Sequence, residues 1–136
     1  MTTNKFRMFL LLYLASIVIG IVMVFFIGHD SLPEPAVKYL EWWNHEPQSV
    51  LEKTAGWVGL SATFISIISV IALYFKYRWA RLTFLIMIVV LFTMELLMDY
   101  PVFQSPMENF FDSLAAILAG VIIALSYWSP ISKKLF

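Results

Sequence analysis

Apolar residues follow one another along the chain in four long runs, separated by short polar segments. The runs cover 8–27, 55–75, 82–98 and 110–128. A bilayer core about 30 Å thick is crossed by a helix of about 20 apolar residues, with a range of about 17–25. Because the backbone finds no water there to bond, each run should be helical. With polar flanking turns included, the four transmembrane helices are predicted over about 8–27, 50–75, 81–100 and 106–128.

The first run is expected to remain in the protein as a helix rather than be removed as a signal peptide. It is longer than the apolar stretch of about 7–15 residues that signal peptides carry. The segment after it lacks the small-residue pattern of a cleavage site. The remaining links are short, apart from an outer loop over 28–54. The fold class predicted is therefore all-α: a single four-helix transmembrane domain over 1–136.

The charged residues alternate in sign from one link to the next. Basic residues dominate both tails and the link between the second and third helices, at Lys5, Arg7, Lys76, Arg78, Arg81, Lys133 and Lys134. Acidic residues dominate the other two links, at Asp30, Glu34, Glu41, Glu46, Glu52, Asp99 and Glu108. Short loops rich in Lys and Arg stay in the cytoplasm. We therefore expect both termini to be cytoplasmic, in a multi-pass protein of a bacterial inner membrane.

The outer loop contains a short amphipathic segment. Over 36–43, apolar residues recur at helical spacing, with Lys38 and Glu41 on the opposite face. Aromatic side chains favour the headgroup level of a bilayer, so this segment is predicted to be an interfacial helix. The alternative is that its aromatic residues form a contact surface for a protein partner or a lipid. The residues concerned are Tyr39, Trp42 and Trp43.

Small residues recur on one face of the second helix at spacings of four and three. They are Ala55, Gly59, Ala62, Ser66 and Ser69, and a similar pattern in the fourth helix includes Ala116 and Gly120. Small side chains let helix backbones approach closely within a membrane. The pattern predicts helix packing in these two places. It also favours a homo-oligomer, or a stable complex with another membrane protein, beside the lipid bilayer itself.

Four carboxylates lie near the outer ends of the third and fourth helices. They form two pairs at helical spacing, Glu95 with Asp99 and Glu108 with Asp112. At 1.5 Å per residue, Glu95 lies about 8 Å inward from Tyr100, and Asp112 lies about 9 Å inward from Pro106. Glu95 and Asp112 are therefore predicted to share a depth in the membrane.

Ionised side chains at the bilayer centre cost about 2.5–3.5 kcal/mol and often mark a function. These carboxylates could bind a cation, share a proton, or pair with a basic residue of a partner. The alternative is structural: Glu108 caps a helix, Asp99 reaches water, and Asp112 bonds to hydroxyl groups of the second helix at Ser61 or Thr63.

Composition removes several classes of function. The chain is 61% hydrophobic with a formal net charge of zero, which gives no support to a nucleic-acid partner. It has no cysteine, which excludes disulfides and thiol chemistry. His29 and His45 lie in the outer loop at a separation that matches no zinc-ligand pattern. We expect neither a metal nor a cofactor.

Two acidic residues near the outer face of a four-helix protein resemble the architecture of signal peptidase II, an intramembrane aspartyl protease. That family's Asn-x-x-Asp-Arg and Asn-x-Ala-Asp motifs do not occur here. Glu95 stands in Thr-Met-Glu-Leu-Leu and Asp112 in Phe-Phe-Asp-Ser-Leu. The Gly-x-Ser-x-Gly and His-Glu-x-x-His motifs are missing too. The chain is therefore not expected to be an enzyme.

Two functions remain from the sequence. The leading expectation is a non-catalytic interaction protein of the inner membrane, either an accessory subunit or an immunity protein against a membrane-acting toxin. It would act through its outer loop, with Glu95 and Asp112 as polar anchors. The alternative is an oligomeric channel or small transporter that moves a cation or proton through a Glu95 and Asp112 site.

Overall fold

Helices make up nearly all of the structure, a computed structural model that describes residues 3–26, 32–45, 49–97 and 106–128. These residues contain no strand. The five helices are α1 (Thr3–Phe26), α2 (Glu34–His45), α3 (Val50–Tyr74), α4 (Trp79–Leu97) and α5 (Pro106–Tyr127). Four of them, α1, α3, α4 and α5, are long and apolar enough to cross a membrane. The predicted all-α class with four membrane-length helices is confirmed.

The helix ends differ by a few residues from those predicted. Helix α1 begins at Thr3, not near Met8, because a helical backbone can continue through polar residues once the apolar run has established it. The two basic residues Lys5 and Arg7 therefore lie within α1. Helix α4 is described only to Leu97, so the predicted end near Tyr100 lies outside the described residues.

A capping box begins α3. Ser49 Oγ accepts a hydrogen bond from the Glu52 N–H at 3.2 Å, and the Ser49 N–H donates to Glu52 Oε2 at 2.7 Å. Two backbone donors that have no partner within the helix are satisfied in this way. The helix therefore starts at a defined residue after the outer loop.

A tight turn at the other end of α3 leads into α4. The Tyr77 N–H donates to the Ala72 carbonyl and the Lys76 N–H to the Leu73 carbonyl, both at 3.0 Å. This is the Schellman arrangement, in which a residue after the helix takes the left-handed conformation. Here that residue is Lys76, with φ of 66°. The turn folds α4 back along α3.

The long helices pack as two pairs. Helix α3 packs most extensively on α4, and α1 on α5. Contacts between the pairs, α1 with α3 and α4 with α5, are much fewer. Among the described residues, α2 has little contact with the long helices. The bundle therefore consists of two well-packed pairs with looser packing between them.

The core lies toward one end of the bundle. We call that end the basic end: α1 and α4 begin there, α3 and α5 finish there, and Lys5, Arg7, Lys76, Arg78 and Arg81 lie near it. The opposite end, with Glu95 and Asp112, is called the acidic end. The largest buried side chains all lie in the half toward the basic end: Phe6, Leu10, Val70, Leu73, Phe84 and Ile122. In the other half, the described buried residues of the long helices are small or polar: Ser16, Gly20, Ala55, Ala62 and Glu108.

Small residues occupy different environments on the two helices where they recur. On α3, Ala55, Ala62, Ser66 and Ser69 are buried, and Gly59 is half-buried. On α5, Ala116 and Gly120 are exposed, and no atom lies within 4 Å of a Cβ built on Gly120. Among the described residues, no other helix packs closely on these two α5 positions. Helix α5 turns Leu118, Ala119 and Ile122 into the core instead.

Candidate functional site

A cavity of about 380 Å³ lies between the four long helices, toward the acidic end. All four helices contribute to its wall. Its apolar lining consists of Ile17, Gly20, Ile21, Ile88, Leu91, Phe92, Ala115, Ala116 and Ala119. Its polar lining consists of Tyr13, Thr63, Ser66, Glu95 and Asp112. The described buried side chains between the two helix pairs are small or polar in this region. They do not fill the space between the pairs, so a cavity remains.

Glu95 and Asp112 both line this cavity, from α4 and α5 respectively. A Cβ built on Gly20 would lie 3.8 Å from Asp112 Oδ1, so the carboxylate of Asp112 rests against the backbone of α1. Glycine at this position leaves the carboxylate room beside α1. None of the described lining residues is basic. The two acidic side chains, both exposed, thus share one mostly apolar cavity.

Tyr13 and Ser66 close the cavity toward the basic end. Both are almost fully buried. The Tyr13 ring meets Phe84 edge to face, with ring centroids 5.5 Å apart. Ser66 Oγ donates to the Thr63 carbonyl on its own helix at 2.8 Å. The contact between the Tyr13 and Phe84 rings joins the two helix pairs at the floor of the cavity.

Hydroxyl groups of α3 satisfy themselves on their own helix. Thr63 Oγ1 donates to the Gly59 carbonyl at 3.0 Å, and Ser61 Oγ donates to the Trp57 carbonyl at 2.8 Å. The protons of these two hydroxyls are therefore not donated to Asp112. Bonding of Asp112 to Ser61 or Thr63, the structural alternative from the sequence, does not occur through these protons.

The other two carboxylates of the predicted set do not line the cavity among the residues described. Glu108 is buried in the first turn of α5. Asp99 lies outside the described residues. The structure thus brings Glu95 and Asp112 together and leaves Glu108 elsewhere.

Helix α2 carries part of the predicted aromatic surface. The Tyr39 and Trp42 rings lie with centroids 5.5 Å apart, and Trp42 is 54% exposed. Lys38 and Glu34 form an exposed ion pair at 2.7 Å along the same helix. The side chain of Trp43 lies outside the described residues.

Two arginines at the basic end each lie over a tyrosine of the other helix pair. The Arg7 guanidinium carbon of α1 lies 4.7 Å from the ring centre of Tyr74 on α3. Arg81 of α4 lies 5.3 Å from the ring centre of Tyr127 on α5, and it donates to the Ser126 carbonyl at 3.2 Å. Both contacts span the sparsely packed boundaries between the pairs. Sequence reasoning missed these contacts; the only available signal was that Arg and Tyr occur together near the same interface.

Sequence reasoning also missed the floor residues Tyr13 and Ser66 as parts of one site. The spacing of Ser66 predicts helix packing alone. A single tyrosine within an apolar run belongs to no spacing pattern that would indicate a site. The described residues contain no group of three or more His, Asp or Glu side chains that could hold a metal ion. What the cavity offers chemically is negative charge within apolar walls. No family model matches the chain, and neither does any curated protein or solved structure.

Proposed function

We propose that this protein spans a bacterial inner membrane and binds a cation in the cavity between its helix pairs, as a small transporter. The observation that carries the proposal is the placement of Glu95 and Asp112 on one cavity that has no basic residue among its described lining residues. Both functions that the sequence left open use these carboxylates, and their placement on one shared cavity favours the function in which they bind a cation.

Electrostatics explains why a cation is the expected ligand. Low-dielectric walls concentrate the field of like charges and raise the local concentration of ions of opposite sign. Two carboxylates on one mostly apolar cavity therefore favour a cation as its ligand.

Closure of the bundle at its basic end favours a carrier over an open channel. Tyr13, Ser66 and Phe84 seal the floor, and Phe6 and Leu10 fill the interior beyond it. A carrier opens its central site to one side of the membrane at a time through movement of one helix group against another. Two helix pairs with few contacts between them are suited to such movement.

Orientation follows from the charges. With the basic end in the cytoplasm, the cavity faces the outer side of the membrane. Because the chain has no cysteine, single-cysteine variants need no background changes. We expect a membrane-impermeant maleimide to label Val50→Cys in intact cells and Tyr77→Cys only after permeabilisation; both native side chains are exposed. Labelling of both positions from the same side would contradict the topology.

The functional test uses purified protein in proteoliposomes. Currents and binding are measured with protons, Na⁺, K⁺ and tetramethylammonium. Charge-assisted contacts contribute about 1.5–3 kcal/mol, so Glu95→Gln or Asp112→Asn should weaken binding about 10- to 100-fold. Glu41→Gln removes the same charge from exposed α2 and is the matched control. If no cation gives a signal that depends on Glu95 or Asp112, the proposed transport function is wrong.

A second candidate is the interaction protein, supported by the exposed aromatic pair on α2 and by that helix's slight contact with the bundle. The exposed Gly120 further suits close approach by a second copy or another membrane protein. Replacing Trp42 and Trp43 with alanine should abolish co-purification of a specific partner while leaving cation binding intact. Loss of cation binding with retained partner binding in Glu95→Gln would show that the two functions coexist.

A further inference from the structure

We infer that the cavity takes an organic ammonium ion with an apolar body, in preference to a metal ion or a proton. This inference rests on the proposed cation site and adds the class of ligand. It follows from the uneven chemistry of the wall: two carboxylates near the acidic end, and an apolar chamber between them and the floor. A volume of about 380 Å³ is within the range of about 300–1,000 Å³ found for small-molecule sites.

A bare metal ion is poorly served by this lining. Calcium takes about six to eight oxygen ligands, and magnesium demands near-octahedral geometry. Among the described residues, only two carboxylates line the cavity, and no group of three His, Asp or Glu side chains is suited to a metal. The hydroxyls of Thr63 and Ser66 lie farther along α3, toward the floor, and their protons bond to backbone carbonyls. The apolar majority of the wall would contribute nothing to such an ion.

A proton alone would also leave most of the cavity without a role. Protonation of Glu95 or Asp112 needs only the carboxylate and a path for water. Walls formed by Ile17, Leu91 and Ala119 add affinity only when they cover apolar surface of the ligand. Each methylene group removed from water strengthens binding about four-fold, which is about 0.8 kcal/mol.

The ammonium group would lie between Glu95 and Asp112, with the apolar body directed toward Tyr13 and Ser66. Phe92 stands three residues before Glu95 on α4 and lines the same cavity. Residues three apart lie on one helix face, so an aromatic side chain neighbours the carboxylate. Aromatic rings attract quaternary ammonium ions through their negative faces. Carboxylate, ring and apolar wall therefore match the three parts of an amphiphilic cation.

The experiment measures binding of a homologous series to the full chain in nanodiscs of zwitterionic lipid. The series is tetramethylammonium, ethyltrimethylammonium, propyltrimethylammonium and butyltrimethylammonium, with empty nanodiscs subtracted. We expect affinity to rise about four-fold with each added methylene. Glu95→Gln should lower the affinity of every member by a similar factor and leave the increment unchanged, because charge and apolar contact act independently.

Two alanine variants locate the apolar contact. Ala116→Leu fills part of the cavity and should flatten the series, with butyltrimethylammonium losing most. Ala124→Leu is the matched control, since Ala124 is exposed on the same helix and does not line the cavity. If the two variants behave alike, the alkyl chains bind elsewhere and the inference about this cavity is wrong.

Other outcomes separate the ligand class from the proposed function. A flat series, with binding of tetramethylammonium, Na⁺ or protons still dependent on Glu95, overturns the organic ligand and leaves the cation site in place. Absence of any binding dependent on Glu95 or Asp112 overturns both. An unchanged thermal unfolding temperature in the variants shows that a loss of binding is not a loss of folding.

Discussion

Arg7 and Tyr74 offer a direct test of how the two helix pairs are held together. The Arg7 guanidinium lies 4.7 Å from the Tyr74 ring centre, across the boundary between α1 and α3 where few other contacts occur. We propose a double-mutant cycle with Arg7→Met, Tyr74→Leu and the combined variant. Each change introduces an apolar side chain similar in length or bulk to the one it replaces. The cycle therefore isolates the contact between the guanidinium and the ring.

The expected coupling is about 1 kcal/mol. Cation–π contacts contribute about 0.5–1 kcal/mol when exposed and about 2 kcal/mol or more when desolvated. Arg7 and Tyr74 are both half-buried, which places this contact between the two limits. Arg7 Nε is buried and has no hydrogen-bond partner among the described residues, so the tyrosine ring is the principal group beneath the charge. Tyr74→Phe keeps the ring and should change stability little.

The assay is reversible unfolding in mixed micelles with increasing sodium dodecyl sulfate, followed by tryptophan fluorescence. Lys5→Met is the control, because Lys5 is exposed and carries the same charge at the same end of α1. Sites that do not interact add within about 0.3–0.5 kcal/mol. A coupling energy inside that scatter would refute the view that this contact joins the pairs.

Three further predictions concern individual residues. Ser49→Ala removes the cap of α3 and should lower the free energy of unfolding by about 1 kcal/mol in the same micelle assay, whereas Ser49→Asp should restore it. Gly20→Ala should leave tetramethylammonium binding intact, since its methyl would lie 3.8 Å from Asp112 Oδ1, whereas Gly20→Leu should displace that carboxylate and weaken binding. Lys76→Gly should raise the free energy of unfolding by up to about 1 kcal/mol because it removes the penalty of the left-handed conformation, and Lys76→Ala should not.

The existence and approximate ends of the long helices could be predicted because a single physical requirement sets them. A segment in hydrocarbon must satisfy its own backbone hydrogen bonds and be long enough to cross. Both conditions can be read from the apolar runs. Local signals for helix caps are also present in the sequence, such as the Ser49-Val50-Leu51-Glu52 pattern that begins α3.

The candidate site could be predicted only in part. Counting 1.5 Å per residue placed Glu95 and Asp112 at one depth, but depth says nothing about rotation around the helix axis. Rotation depends on which face of each helix packs on a neighbour. Helix α5 turns Leu118 and Ile122 into the core, which leaves Asp112 facing the cavity beside Gly20.

Helix partners were not encoded in any local pattern. A short link between α4 and α5 suits antiparallel neighbours, yet these two helices make few contacts, and α4 packs on α3. Buried Ala55 and Ala62 let a neighbouring helix approach α3 closely, while large side chains such as Phe6 and Leu10 fill the basic half. Such choices depend on how all four helices fill space together.

From its sequence alone, the chain determines four membrane-length helices, the separation of acidic from basic ends, and the positions of Glu95 and Asp112 along their helices. These properties follow from local composition and from the fixed rise of a helix, which act on each segment by itself. Only the tertiary structure decided that the helices form two pairs, that large side chains fill one half, and that Glu95 and Asp112 face a common cavity. Packing is a property of several surfaces at once, so no single segment of the sequence carries it.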